Sequence, residues 1–227
     1  MADISLRESI RWLPDSPSEP TSTVVLTSPD KHFVDVRILL PLDHPQGILT
    51  KDQLDWAFAG RSESAPREME AEANDNGERI RCGTHSVWKH WVDSRTREAE
   101  GVVDEGDMVD LPGGRTLETG SMVNPATGRV TGYEEVWGSG APLGGMEGVV
   151  VVLRTEDGEC GRRGVVVRVA QYVQGILRDG DRVMVQRREW REGDVREQKV
   201  KLGGTVAGGG IVWDVVELDG DQDGVVP

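Results

Sequence analysis

The chain has 227 residues and carries 40 acidic against 26 basic side chains, a formal net charge of −14. That balance excludes non-specific attachment to nucleic acid or to an anionic membrane face, both of which need positive charge. Hydrophobic residues at 37% and charged residues at 29% are ordinary for a globular fold, and no apolar run approaches the ~20 residues that span a bilayer.

Met1–Leu13 contains Asp3 and Glu8 and no leader-length apolar stretch, so no secretory leader is expected. Asp15–Ser22 reads as a polar, Pro-rich loop. Strands are expected at Ser22–Ser28, His32–Leu40, Asp55–Arg61, Glu78–Asp93, Gly101–Leu111 and Thr116–Val123. Further strands follow at Arg129–Trp137, Gly148–Thr155, Gly164–Leu177, Arg182–Trp190, Val195–Leu202 and Ile211–Leu218. They are rich in Val, which suits a pleated, half-buried surface. Turn signals such as Ser28-Pro29-Asp30, Asn124–Gly128 and Asp179-Gly180 separate them. Thr50-Lys51-Asp52-Gln53 has the form of a capping box and predicts one helical turn. Arg67–Ala73, after Pro66, holds helix formers without an apolar face and predicts a solvated excursion within a loop. Asp219–Gly224 copies the first six positions of a calcium loop but lacks the glutamate needed at the twelfth, so an acidic disordered tail is expected.

The fold class that follows is all-β, an antiparallel sandwich or barrel with one or two short helices. Pro112-Gly113-Gly114 lies near the midpoint and is the expected junction between an N-terminal domain over 1–112 and a C-terminal domain with its acidic tail over 113–227.

Signatures of chemistry are sparse. Gly138-Ser139-Gly140 and Gly208-Gly209-Gly210 lack the strand–glycine–helix context of nucleotide sites, and no nucleophile elbow is present. Cys82 and Cys160 match no metal or redox spacing and are expected as reduced thiols. His32, His44, His85 and His90 have no partners at ligand spacing; His85 and His90 fall on opposite faces of a strand, so neither metal nor cofactor is expected. The adjacent Glu134 and Glu135 likewise face opposite ways and cannot flank one bond.

The constellation that remains is aromatic: Trp56, Phe58, Trp88, Trp91, Tyr133, Trp137 and Tyr172 all lie on predicted strands. Such residues are expected first as barrel filling. The functional alternative is a ligand pocket drawn from Trp56, Phe58, Trp88, His90, Trp137, Arg168 and Tyr172, with Lys89 or Gln171 as further polar anchors.

Four segments, Asp55-Trp56-Ala57-Phe58-Ala59-Gly60, Trp88-Lys89-His90-Trp91, Tyr133-Glu134-Glu135-Val136-Trp137 and Val169–Leu177, resemble the fungal HRI family in the same order. That family is named for a yeast protein that interacts with a casein kinase I homologue, and the resemblance runs from about Val24 to Leu218. It implies two related, small, lipocalin-like β-barrels, one over 1–112 and one over 113–227, and a homodimer. It also implies an intracellular protein without established enzymatic activity, linked to that kinase and to a component of the endoplasmic-reticulum translocation machinery. No catalytic residues are carried over.

Two main functions are therefore expected. The first is a non-enzymatic interaction protein of the cytoplasm, with access to the nucleus. The alternative is a carrier of a small apolar ligand inside one barrel. An enzyme would require two titratable side chains converging in one cavity.

Overall fold

A computed structural model of the chain describes residues 1–42, 48–70, 80–159, 161–191, 194–202 and 213–219. Eight strands close into an antiparallel barrel in the order β1 (Asp3–Trp12), β2 (Thr21–Thr27), β3 (His32–Leu39), β5 (Leu54–Glu70), β6 (Ile80–Asp93), β7 (Val103–Leu111), β8 (Arg115–Val123) and β9 (Val130–Ser139). Closure is made by β9 on β1, with Ser5 opposite Ser139 and Trp12 opposite Tyr133. A seven-stranded sheet follows: β15 (Asp214–Asp219), β10 (Val150–Asp157), β11 (Arg162–Val169), β12 (Tyr172–Asp179), β13 (Arg182–Arg191), β14 (Asp194–Leu202) and β4 (Ile48–Leu49). Its last pairing is parallel, and brings β4, from the chain between β3 and β5, onto β14. Short 3-10 turns occur at Lys51–Gln53 and Ala99–Gly101.

The all-β reading holds: one closed barrel stands beside a second sheet. Pro112-Gly113-Gly114 forms the turn between β7 and β8, two neighbours in the same barrel, with Gly113 and Gly114 at φ 81° and 70°. The barrel accordingly takes strands as far as Ser139, and the second sheet starts at Val150 in β10. The loop excursion expected after Pro66 is instead the far end of β5, where Pro66 pairs with Thr84 and Glu70 with Ile80. Helix formers with no apolar face gain little from a helix, whereas each extended residue gains a backbone ladder bond to β6. The end of that excursion, residues 71–73, lies outside the described residues, as do Cys160 and 220–224 of the acidic tail.

The hydrophobic core sits outside the barrel. Val24 and Leu26 of β2, Val34, Val36 and Ile38 of β3, and Ala57 and Ala59 of β5 pack against Val152, Val165, Val167, Ile176 and Val185 of the second sheet. Buried polar side chains cross this seam, Gln174 and Arg187 among them. Gln174 donates to the carbonyls of Val24 (2.9 Å) and Val34 (3.2 Å), and Arg187 donates to Gln174 Oε1 (2.7 Å), to Ser22 and to the Val36 carbonyl (2.5 Å).

Candidate functional site

Strand alternation divides the barrel wall into two surfaces. In β3 the even positions Val34, Val36 and Ile38 belong to the core, so Phe33, Asp35 and Arg37 point the other way, into the barrel. Phe58 of β5, Trp88 of β6, Glu118 of β8, and Tyr133, Glu135 and Trp137 of β9 join them. These side chains enclose a cavity of about 680 Å³ rather than filling the barrel. A second cavity of about 320 Å³ lies against Arg7, Trp12, Trp56 and Arg95; Arg37, Asp104, Met122 and Val123 line both.

Buried charge dominates one side of the larger cavity. Glu135 is 1% exposed and accepts from Arg7 Nη1 at 2.6 Å, with Arg37 Nη1 at 3.9 Å. Arg7 also binds Glu19 and Thr21, which draws Glu19, from the segment expected as a polar loop, into the network. Arg37 makes two bonds to Asp35 Oδ2, at 3.0 and 2.8 Å. The other oxygen, Asp35 Oδ1, is buried and has no hydrogen-bond partner among the described residues. Glu118 accepts from Tyr133 Oη at 2.7 Å and from Trp137 Nε1 at 3.0 Å. Burial, and then the neighbouring Glu135, push its carboxyl up to about 8, so it is largely protonated at neutral pH.

Two glycines make room for this acid. A Cβ at Gly106 on β7 would come within 2.8 Å of Glu118 Cγ and Oε1, and one at Gly120 on β8 within 2.6 Å of Tyr133 Oη. Only a residue without a side chain leaves the Glu118–Tyr133 pair its space.

An aromatic cluster lines the wall below. Phe58 stacks on His90, with centroids 4.1 Å apart and planes at 11°, and Trp56 packs on both. His90 Nδ1 lies 2.9 Å from Asp93 Oδ2, and its Nε2 lies 3.3 Å from Asp104 Oδ2. Burial alone would lower the His90 pKa; the hydrogen bonds to Asp104 and Asp93 outweigh it and leave the pKa raised. Trp56 is covered by two guanidiniums, Arg95 at 4.4 Å and Arg37 at 5.3 Å from its ring.

Residues 3–217 match the family described as Protein HRI1. The chain belongs to the Protein HRI1 family. Its fold is similar to the crystal structure of an uncharacterized protein from Saccharomyces cerevisiae, with a TM-score of 0.67 at 16% identity over 96% of this chain and 99% of that one. Among curated proteins none matches.

Measured against this HRI1-family barrel, the sequence-predicted site residues divide in two. Phe58, Trp88 and Trp137 line the larger cavity, Trp56 the smaller, and His90 packs beside them on Phe58. Arg168 and Tyr172 lie on the second sheet and do not join them: Arg168 covers Trp190 at 5.2 Å, and Tyr172 donates to Glu189 at 3.0 Å. Lys89 turns outward to Glu63, and Gln171 ties the segment before β10 through Leu143 and Ala141. Trp91 faces away from the barrel interior, under Arg154 and Arg163. His85 lies on the opposite face of β6 from His90 and pairs with Asp107 at 2.8 Å. Sequence reasoning missed Asp35, Arg37 and Glu118. The signal was present in Phe33-Val34-Asp35-Val36-Arg37-Ile38. There, aliphatic residues mark one buried face, and opposite charges two apart mark the other as enclosed and self-paired.

Proposed function

We propose that this chain is a binding protein that carries a small, largely apolar molecule inside the β1–β9 barrel. The observation that carries this reading is the cavity of about 680 Å³ bounded by Phe33, Phe58, Trp88 and Trp137. That volume is within the range of small-molecule pockets, and eight-stranded barrels hold either filling side chains or one small ligand. The placement of the core outside the barrel supports it, because an open interior then costs the fold little apolar packing. Titratable groups do converge in the cavity, as an enzyme would require. Both Glu118 oxygens and Glu135 Oε1, however, already accept from Tyr133, Trp137 and Arg7, which fixes these carboxyl groups in the wall rather than leaving them free to relay protons. The test is titration with N-phenyl-1-naphthylamine, an uncharged apolar fluorophore. Ser62 of β5 also lines the cavity; saturable binding at one site, lost in Ser62→Trp with the β-sheet spectrum intact, is expected, and a linear, unsaturable response refutes the carrier.

Family membership favours a second, compatible reading that uses the outside of the molecule. By resemblance, the chain would be a non-enzymatic interaction protein of the cytoplasm and nucleus, a homodimer in contact with a casein kinase I homologue and a component of the endoplasmic-reticulum translocation machinery. Sedimentation of the purified protein and binding to the purified kinase test it directly.

A further inference from the structure

We infer that the ligand of the barrel is an organic cation, an amine or guanidine on an apolar body, with its N–H group held by Asp35 and Glu118. This rests on the carrier reading and specifies its ligand.

The first support is the orphan oxygen. Asp35 is 2% exposed and lines the cavity; its Oδ2 takes both bonds from Arg37, while its buried Oδ1 has no donor among the described residues. A buried carboxylate oxygen left without a donor has lost its water with nothing in return, so the site is complete only when something supplies an N–H or O–H. Charge then selects among donors. With Glu118 protonated at neutral pH, the two buried guanidiniums of Arg7 and Arg37 still face the carboxylates of Asp35 and Glu135, and Arg7 is shared with a third, Glu19. Glu118 has hydrogen bonds from Tyr133 and Trp137, both neutral donors. An ammonium carries three donors and no acceptor, which fits a lining whose vacancies are acceptors. The rings of Trp88 and Trp137 line the same cavity and add aromatic surface of the kind that attracts a cation once water is excluded. At the rim, Val103, Val123 and Val130 are 51, 57 and 72% exposed and line the same cavity, a place for the apolar body.

Isothermal titration with 4-phenylbutylamine, its alcohol and the matching carboxylate, 4-phenylbutanoate, separates the outcomes. The amine is expected to bind at least tenfold more tightly than the alcohol, and the carboxylate more weakly still. Asp35→Asn should weaken the amine at least tenfold and leave the alcohol unchanged. If that variant does not fold, Glu118→Gln, whose amide oxygen can accept from Trp137 while its NH2 donates to Tyr133 Oη, is expected to lose the same preference. Amine affinity should also rise as pH passes through about 8, where Glu118 ionises beside Tyr133, Trp137 and Glu135 of β9, Arg37 of β3 and Gly106 of β7, while the amine, with a pKa near ~10.4, stays charged. Equal binding of amine and alcohol overturns the cation and leaves the carrier standing. The same holds if N-phenyl-1-naphthylamine binds and none of the three does. Failure of all four removes both readings.

Discussion

Arg187 of the second sheet donates to Gln174 Oε1 at 2.7 Å, and both side chains then reach across the core to backbone carbonyls of the barrel. Gln174 is fully buried and Arg187 is 5% exposed, so the seam between the two sheets is pinned by polar groups set among valines. Burial lowers the Arg187 pKa to about 10, yet at neutral pH it remains a charged donor to neutral partners.

Removing this pin should be expensive. Arg187→Met would take the donor from Gln174 Oε1 and remove the side-chain donor to the Val36 carbonyl. A loss of about 2–4 kcal/mol in urea unfolding is expected, from unsatisfied buried acceptors. Gln174→Leu should cost a comparable amount, and the double variant less than the sum, since the two residues share a bond.

Glu118 gives the protein a pH signature. Its folded pKa of about 8 lies above the ordinary 4.5, so the folded state binds a proton that the unfolded state has released. Stability therefore falls as pH rises from about 4.5 to about 8, at up to ~1.4 kcal/mol per pH unit, and the cost is complete above that window. Glu118→Gln should remove this slope. Melting at pH 5 and 8.5 should show the variant gaining on the wild type at the higher pH.

His90 has the opposite dependence. Its pKa is raised in the fold by Asp104 and Asp93 despite burial. The charged pair thus contributes stability fully below ~6.5, the unfolded value, and the contribution is lost as pH climbs through the folded pKa. His90→Gln should be most destabilising near pH 5.5 and less so near pH 8.5, as measured by urea midpoints.

The glycine niche can be tested by geometry alone. Gly106→Ala would place a methyl within 2.8 Å of the Glu118 carboxyl, and overpacking of this kind costs about 1–3 kcal/mol. In Glu118→Ala the same substitution should be nearly neutral. An undiminished cost in that background would mean that backbone strain, not the acid, demands the glycine.

Much of the strand framework was legible, because valine alternation and Pro/Gly turns act locally. The predicted His32–Leu40 and Thr116–Val123 fall within a residue or so of β3 and β8. β1 is absent from the predicted strands, although Ile4, Leu6 and Ile10 alternate in it; its pairing with β9 shifts register between Arg7 and Ser9. The junction at Pro112 drew on turn chemistry, which marks a hairpin and a domain boundary alike. The aromatic half of the site was legible because large apolar rings on strands attract attention. Its charged half was not: a local reading assigns Asp35, Arg37 and Glu118 to solvent, and only barrel closure, a contact between residues far apart in sequence, encloses them. For Arg168 and Tyr172, alternation located the face but could not say which sheet it belonged to.

The valines that hold the molecule together and the side chains that face the cavity occupy alternate positions of the same strands, back to back. Substitutions at 34, 36 and 38 will register as changes in folding, whereas those at 33, 35 and 37 will register as changes in what the interior accepts. The barrel can thus be retailored for a different guest by rewriting every second residue of a strand, with its scaffold left in place.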